Sequence, residues 1–109
     1  MTSPLPAAEA LDLAALVGVT PGGIASRVLS KTSGGSLTVF AFDASQGLTE
    51  HTSPFDALVV VVEGEFTLTI GGVAVLAKPG QVVRLPANVP HALEAGTPAR
   101  MLLVMLREV

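Results

Sequence analysis

Along most of the chain, apolar and polar positions alternate in short runs, and clusters of turn residues divide the runs. The segments are Ile24–Lys31, Ser36–Phe42, Ala57–Val62, Glu65–Ile70, Val73–Ala77, Gln81–Leu85, His91–Glu94 and Arg100–Arg107. Between them stand Ser33-Gly34-Gly35, Asp43–Gly47, Ser53-Pro54, Glu63-Gly64, Gly71-Gly72, Lys78-Pro79-Gly80 and Pro86–Pro90. Eight short strands punctuated in this way predict an all-β chain, an antiparallel sandwich or barrel. Gly71-Gly72 is a two-residue hairpin signal, because glycine adopts the positive φ that such turns demand.

Two segments break the alternation. Leu58–Val62 and Met101–Leu106 are apolar on both faces, whereas a sheet with one wet side reads apolar-in, polar-out. Both faces of these strands therefore need cover. In so small a barrel the outer face can be covered only by the N-terminal segment or by a second subunit, so the expected assembly is a homodimer formed through sheet faces. Before Pro21-Gly22-Gly23 the texture differs: in Ala7–Val17, Leu13, Leu16 and Val17 recur at helical spacing, Pro6 suits a helix start and Gly18 its stop. The expected organisation is residues 1–22 as an N-terminal segment with one short helix or a single turn packed on the barrel, and residues 23–109 as the β-barrel domain.

Composition narrows the functional classes. A chain of 109 residues fits one domain, and half of its residues are hydrophobic, enough for a core with some surplus for an interface. The net charge is −3 and the six Lys and Arg are scattered, so no basic stripe exists to neutralise phosphates and nucleic acid is not expected as a partner. With no cysteine there are no disulfides, thiolate nucleophiles or Cys-based zinc sites. Residues 1–6 lack the basic start and apolar run of a signal peptide, and no apolar stretch reaches 18 residues. The expectation is a soluble cytoplasmic protein without a membrane partner.

What remains for chemistry is two histidines. His51 lies in Gly47-Leu48-Thr49-Glu50-His51-Thr52-Ser53, and His91 closes Pro86-Ala87-Asn88-Val89-Pro90-His91. Gly47 through His51, Ser53, Pro54 and Asp56, with the valine-rich strand running to Glu63-Gly64-Glu65, resembles the first motif of the cupins. Pro79-Gly80, Pro86, Asn88, Pro90 and His91 resemble the second motif. In order and at this spacing the two motifs are fairly specific, and the resemblance covers about residues 35–106. It implies a small antiparallel jelly-roll β-barrel of the RmlC-like superfamily, often dimeric, in which motif histidines and a glutamate commonly bind one divalent metal ion.

Carried over residue by residue, His51 matches the first motif histidine and His91 the last. Ser53 stands where the second histidine belongs, and Ala57 where the glutamate belongs, so two of the four usual ligands are missing. His51 and Ser53, two apart on a strand, share a face. Asp56 is the candidate third ligand, although on a regular strand it faces away from Ala57. Two imidazoles with waters hold a borderline metal less tightly than a fuller set. The bland reading is a metal-free pair satisfied by Ser53, Asp56, Asn88 or water; Asn88 itself reads as a turn residue tolerating left-handed φ, and Glu63 and Glu65 as solvated.

Two functions follow. The first is a small-molecule-binding module whose mostly apolar pocket is lined by His51, Ser53, Phe55, His91 and Met101, with Met105 adding adaptability. The alternative is a metal-dependent enzyme, a dioxygenase, isomerase or hydrolase, with His51 and His91 as ligands to zinc, nickel, iron, manganese or copper and Asp56 completing a facial set. A metal-free variant of it would use His91 as general base. A structural dimer without a ligand is the third reading.

Overall fold

The structure, a computed structural model, describes residues 5–107; the first four residues and the last two, which belong to the terminal regions considered above, lie outside the described residues. Nine strands follow one another: β1 Ile24–Thr32, β2 Gly35–Phe42, β3 Gly47–His51, β4 Asp56–Glu63, β5 Phe66–Ile70, β6 Val73–Ala77, β7 Val82–Leu85, β8 His91–Ala95 and β9 Ala99–Leu106. They form a five-stranded sheet ordered β1-β2-β9-β4-β7 and a four-stranded sheet ordered β3-β8-β5-β6. All pairings are antiparallel, and the two sheets face each other as a jelly-roll barrel. Eight of the strands are those expected from the runs. The ninth, β3, was not among them.

Alternation dictates the core. On the large sheet, Phe40, Phe42, Ala57, Val59, Val61, Met101, Leu103 and Met105 join the core, and the small sheet contributes Phe66, Leu68, Leu93 and Ala95. Phe42 meets Phe66 edge-on at 5.2 Å and 81°, a favoured geometry for aromatic rings. This contact sets the stacking of the sheets. Phe42 pairs with Ala99 and Phe66 with Ala95, so the ends of the sheets that carry these residues lie together. The opposite ends, with Ala57 and Met105 on one sheet and His91 and Ile70 on the other, then also face each other. The Gly71-Gly72 hairpin forms as expected, with φ of 56° and 83° between the paired residues Ile70 and Val73.

Among the described residues of the N-terminal segment one 3-10 turn forms, Leu13–Ala15, capped by the Asp12 carboxylate accepting from the Ala14 N–H at 3.2 Å. A stretch this short nucleates a helix poorly on its own, and its apolar residues instead lie against the outer face of the large sheet. The turn packs on β4, the Arg100 Nε–H donates to Val17 O at 2.9 Å, and the Gly22 N–H donates to Asp43 Oδ2 at 2.7 Å. On that face Val39 and Ala41 are fully buried although they stand outside the barrel core. Arg100 also ion-pairs with Glu63 at 2.6 Å, so Glu63 is engaged rather than merely solvated.

Candidate functional site

The site is built at the open end of the small sheet, where β3 lies beside β8. Leu48 pairs with Leu93, and the next pair is His51 with His91. Three residues of β3 are thus matched to two of β8, which is a β-bulge. In a regular strand Leu48 and Glu50 would share the inner face and His51 would point out. The extra residue re-aims the chain and puts His51, in place of Glu50, opposite His91. Gly47 is needed for this strand to dock: a Cβ there would run into Leu93 O and the backbone of Glu94.

The two rings meet at 71° with centroids 4.4 Å apart, and their Nε2 atoms are 3.1 Å apart. His51 Nδ1 lies 2.8 Å from Thr49 O and His91 Nδ1 lies 3.1 Å from Val89 O. A carbonyl oxygen only accepts, so each ring carries its proton on Nδ1 and donates it to the carbonyl two residues before. Each Nε2 of a neutral ring is then an acceptor. Two lone pairs face each other across 3.1 Å, an arrangement that becomes favourable when a proton or an electron-pair acceptor lies between them.

Below the pair is a cavity of about 80 Å³ lined by Leu48, Ser53, Ala57, Leu85, Leu93, Met101, Leu103 and Met105 together with both histidines. His91 is buried and His51 is exposed, so the site opens through His51. Of the residues expected from the sequence, His51, Ser53, His91 and Met101 all reach this cavity. Ser53 does so from the loop after β3, where its Oγ accepts from the Phe55 N–H at 3.2 Å.

Phe55 and Asp56 do not. Phe55 lines a separate groove with Pro54, Asp56, Ala87, Leu106 and Arg107, and the Arg107 guanidinium sits over its ring at 5.0 Å, so it is corrected from pocket wall to surface cation–π partner. Asp56 opens β4 one residue before the inward Ala57, and alternation turns it outward. Its Oδ1 accepts from the Ala87 N–H at 2.8 Å, and its Oδ2 from Arg84 at 3.3 Å. These partners, the Ala87 N–H first, hold its carboxyl below the usual carboxylate range. Asp56 is therefore corrected from third metal ligand to clamp for the Pro86–Pro90 loop. The Asn88 N–H donates to Ser53 O at 2.7 Å, with Asn88 at φ 64° as its turn role requires, and the same loop supplies Val89 O to His91. That clamp, and the two carbonyls that fix the tautomers, had no sequence signal beyond loop composition.

The donor set does not fit a hard divalent metal held by three histidines and a glutamate. Among the described residues no group of three His, Cys, Asp or Glu side chains converges, Ser53 is a poor neutral ligand, and Ala57 supplies nothing. No described helix is long and apolar enough to cross a membrane.

Comparison with known proteins agrees with this architecture. The profile of the family described as "Cupin domain" matches residues 38–105. A conserved protein of unknown function from Streptococcus pyogenes is 32% identical with a TM-score of 0.92, over 99% of this chain and 95% of that one. A cupin superfamily protein from Desulfitobacterium hafniense superposes with a TM-score of 0.91 at 23% identity, covering 99% of both chains. A cupin 2 conserved barrel domain protein from Leptotrichia buccalis is 36% identical with a TM-score of 0.85, over 89% of this chain and 47% of that one. No protein of curated function matches the chain.

Proposed function

This chain belongs to the cupin domain family, and from that premise we propose that it is a small-ligand-binding cupin whose site is the His51–His91 pair. The observation that carries the reading is the opposed pair of Nε2 acceptors, 3.1 Å apart, with both Nδ1 protons committed to backbone carbonyls. Such a pair binds what accepts electron pairs or donates protons: a metal ion, or the acidic group of a small molecule.

The size of the cavity narrows the choice. At about 80 Å³ it is far below the ~300–1,000 Å³ of pockets that enclose drug-sized ligands. The ligand has few heavy atoms, or only its tip enters past His51. Among the described residues the walls are apolar apart from the two histidines and Ser53, and no further acid or base lines the cavity, so the reading is binding.

The test titrates the parent, His51→Ala and His91→Ala with Zn²⁺, Ni²⁺, Cu⁺ and short-chain carboxylic acids, followed through the imidazole ¹⁵N resonances. The expected result is a saturable shift of both Nε2 signals with at least one probe and no binding by either variant. Binding that survives either substitution, or Nε2 signals that move with no probe, overturns the proposal.

A further inference from the structure

Beneath the histidine pair the cavity wall carries two thioethers and no carboxylate: Met101 and Met105 line it, and Asp56 does not. The register shows which thioether belongs with the imidazoles. Met105 lies directly across from Ala57 on the neighbouring strand, at the end of the large sheet that faces His91. Met101 pairs with Val61 and Phe40, deeper toward the Phe42–Phe66 contact. A sulfur donor thus stands beside the position where a carboxylate is missing.

We propose that the cavity is a Cu⁺ site in which Nε2 of His51, Nε2 of His91 and the thioether sulfur of Met105 bind the ion. The proposal rests on the histidine pair being the binding site and adds the identity of what it binds. Three physical arguments converge on that ion. Thioether and imidazole are soft and borderline donors, and thioethers select Cu⁺ over harder divalent ions. The set is neutral, so nothing compensates a bound charge in an apolar cavity; the Born cost grows with the square of the charge, making a divalent ion about four times as expensive to place there as a monovalent one. The nitrogen separation of 3.1 Å also suits two ligands on one ion, whose bonds of about 2.0–2.1 Å would open roughly 100° apart. A cavity of about 80 Å³ takes an ion shed of its water, and His51, exposed at the mouth, is the point of entry.

The experiment is an anaerobic competition of the reduced full chain against bathocuproine disulfonate with Cu⁺, together with X-ray absorption at the copper edge. The expected result is one Cu⁺ per chain with nitrogen and sulfur scatterers, and Cu⁺ affinity exceeding that for Zn²⁺. Met105→Leu, a volume-conserving change that keeps the fold, is expected to weaken Cu⁺ by at least about tenfold and to remove the sulfur scatterer. Met101→Leu is expected to leave both unchanged. Loss of the sulfur scatterer in Met101→Leu rather than in Met105→Leu overturns the choice of Met105 as the thioether ligand. Cu⁺ bound with nitrogen scatterers only, or unaltered by Met105→Leu, overturns the thioether assignment while the histidine site stands. Zn²⁺ bound as tightly as Cu⁺ overturns the soft-ion argument. Cu⁺ binding that survives His91→Ala in a variant with the parent circular dichroism overturns the histidine site and this proposal with it.

Discussion

Each of the two rings donates its Nδ1 proton to the carbonyl two residues earlier, Thr49 O for His51 and Val89 O for His91, so the chemistry of both is set by local backbone. For His91 that backbone is the Pro86–Pro90 loop, and the loop is held from outside the cavity by Asp56 through the Ala87 N–H. The carboxyl is held low by that hydrogen bond and, less strongly, by Arg84. A lowered carboxyl contributes stability above its unfolded value, about 3.9, and loses it as pH falls through the folded value. Asp56→Ala is therefore expected to lower Tm at neutral pH, with the gap to the parent narrowing below about pH 4. Melting curves across pH 3–7 check this, and a gap constant over that range would remove Asp56 from the role of clamp.

At the scale of elements, the sequence was legible where turn chemistry and alternation agree. Gly71-Gly72 marked its hairpin, and the strands it joins bring Leu68 and Val75 opposite each other. What alternation could not supply was β3, because its pattern is interrupted by the bulge between Leu48 and His51. A period of two run from Leu48 puts Glu50 inside and His51 outside; only the register with β8 reverses this. For the same reason Asp56 read as a possible ligand and Phe55 as pocket wall, since which way a loop leaves a bulged edge strand depends on long-range pairing. Met105 was visible as a softener of the pocket, but its place beside Ala57 needed the β4–β9 register. Among the described residues β3 pairs with β8 alone, so its docking is the weak point of the site. Gly47→Ala, which forces a Cβ against Leu93 O, is expected to cost about 1–3 kcal/mol and to weaken ligand binding at His51. Urea unfolding and the histidine titration read both effects; parent-like values in both would show that the strand relaxes without penalty.

At the scale of the whole molecule, the two outer sheet faces differ. That of the small sheet carries Thr49, Thr67, Thr69 and Glu94 along a shallow groove, a mostly polar face on which Leu76, opposite Thr67, is an exposed apolar residue. That of the large sheet carries Leu37, Val39, Leu58, Val60, Val82, Leu102, Val104 and Leu106, and the N-terminal segment reaches this face at β4 and at Arg100, whose Nε–H meets Val17 O. Val82 is 59% exposed, Leu106 48% and Leu37 36%, while Leu58, Val60, Leu102 and Val104 between them are half-buried. A contiguous apolar strip on a flat sheet is what an isologous dimer buries, and its polar margin, the Arg84–Asp56 pair at 3.3 Å, provides the rim such interfaces have. A second copy of this chain, seated sheet to sheet, is accordingly our proposed occupant, and it accounts for the doubly apolar runs in β4 and β9 that the N-terminal segment leaves uncovered. Sedimentation equilibrium at micromolar concentration is expected to give twice the chain mass for the parent. Val104→Glu is expected to give a folded single chain, because two-fold symmetry places two like charges in one apolar interface. The histidine cavity lies on the other face of that sheet, so the monomeric variant is expected to keep its ligand affinity. A single-chain mass for the parent, or a Val104→Glu variant that remains dimeric, would mean that the strip is covered by something else.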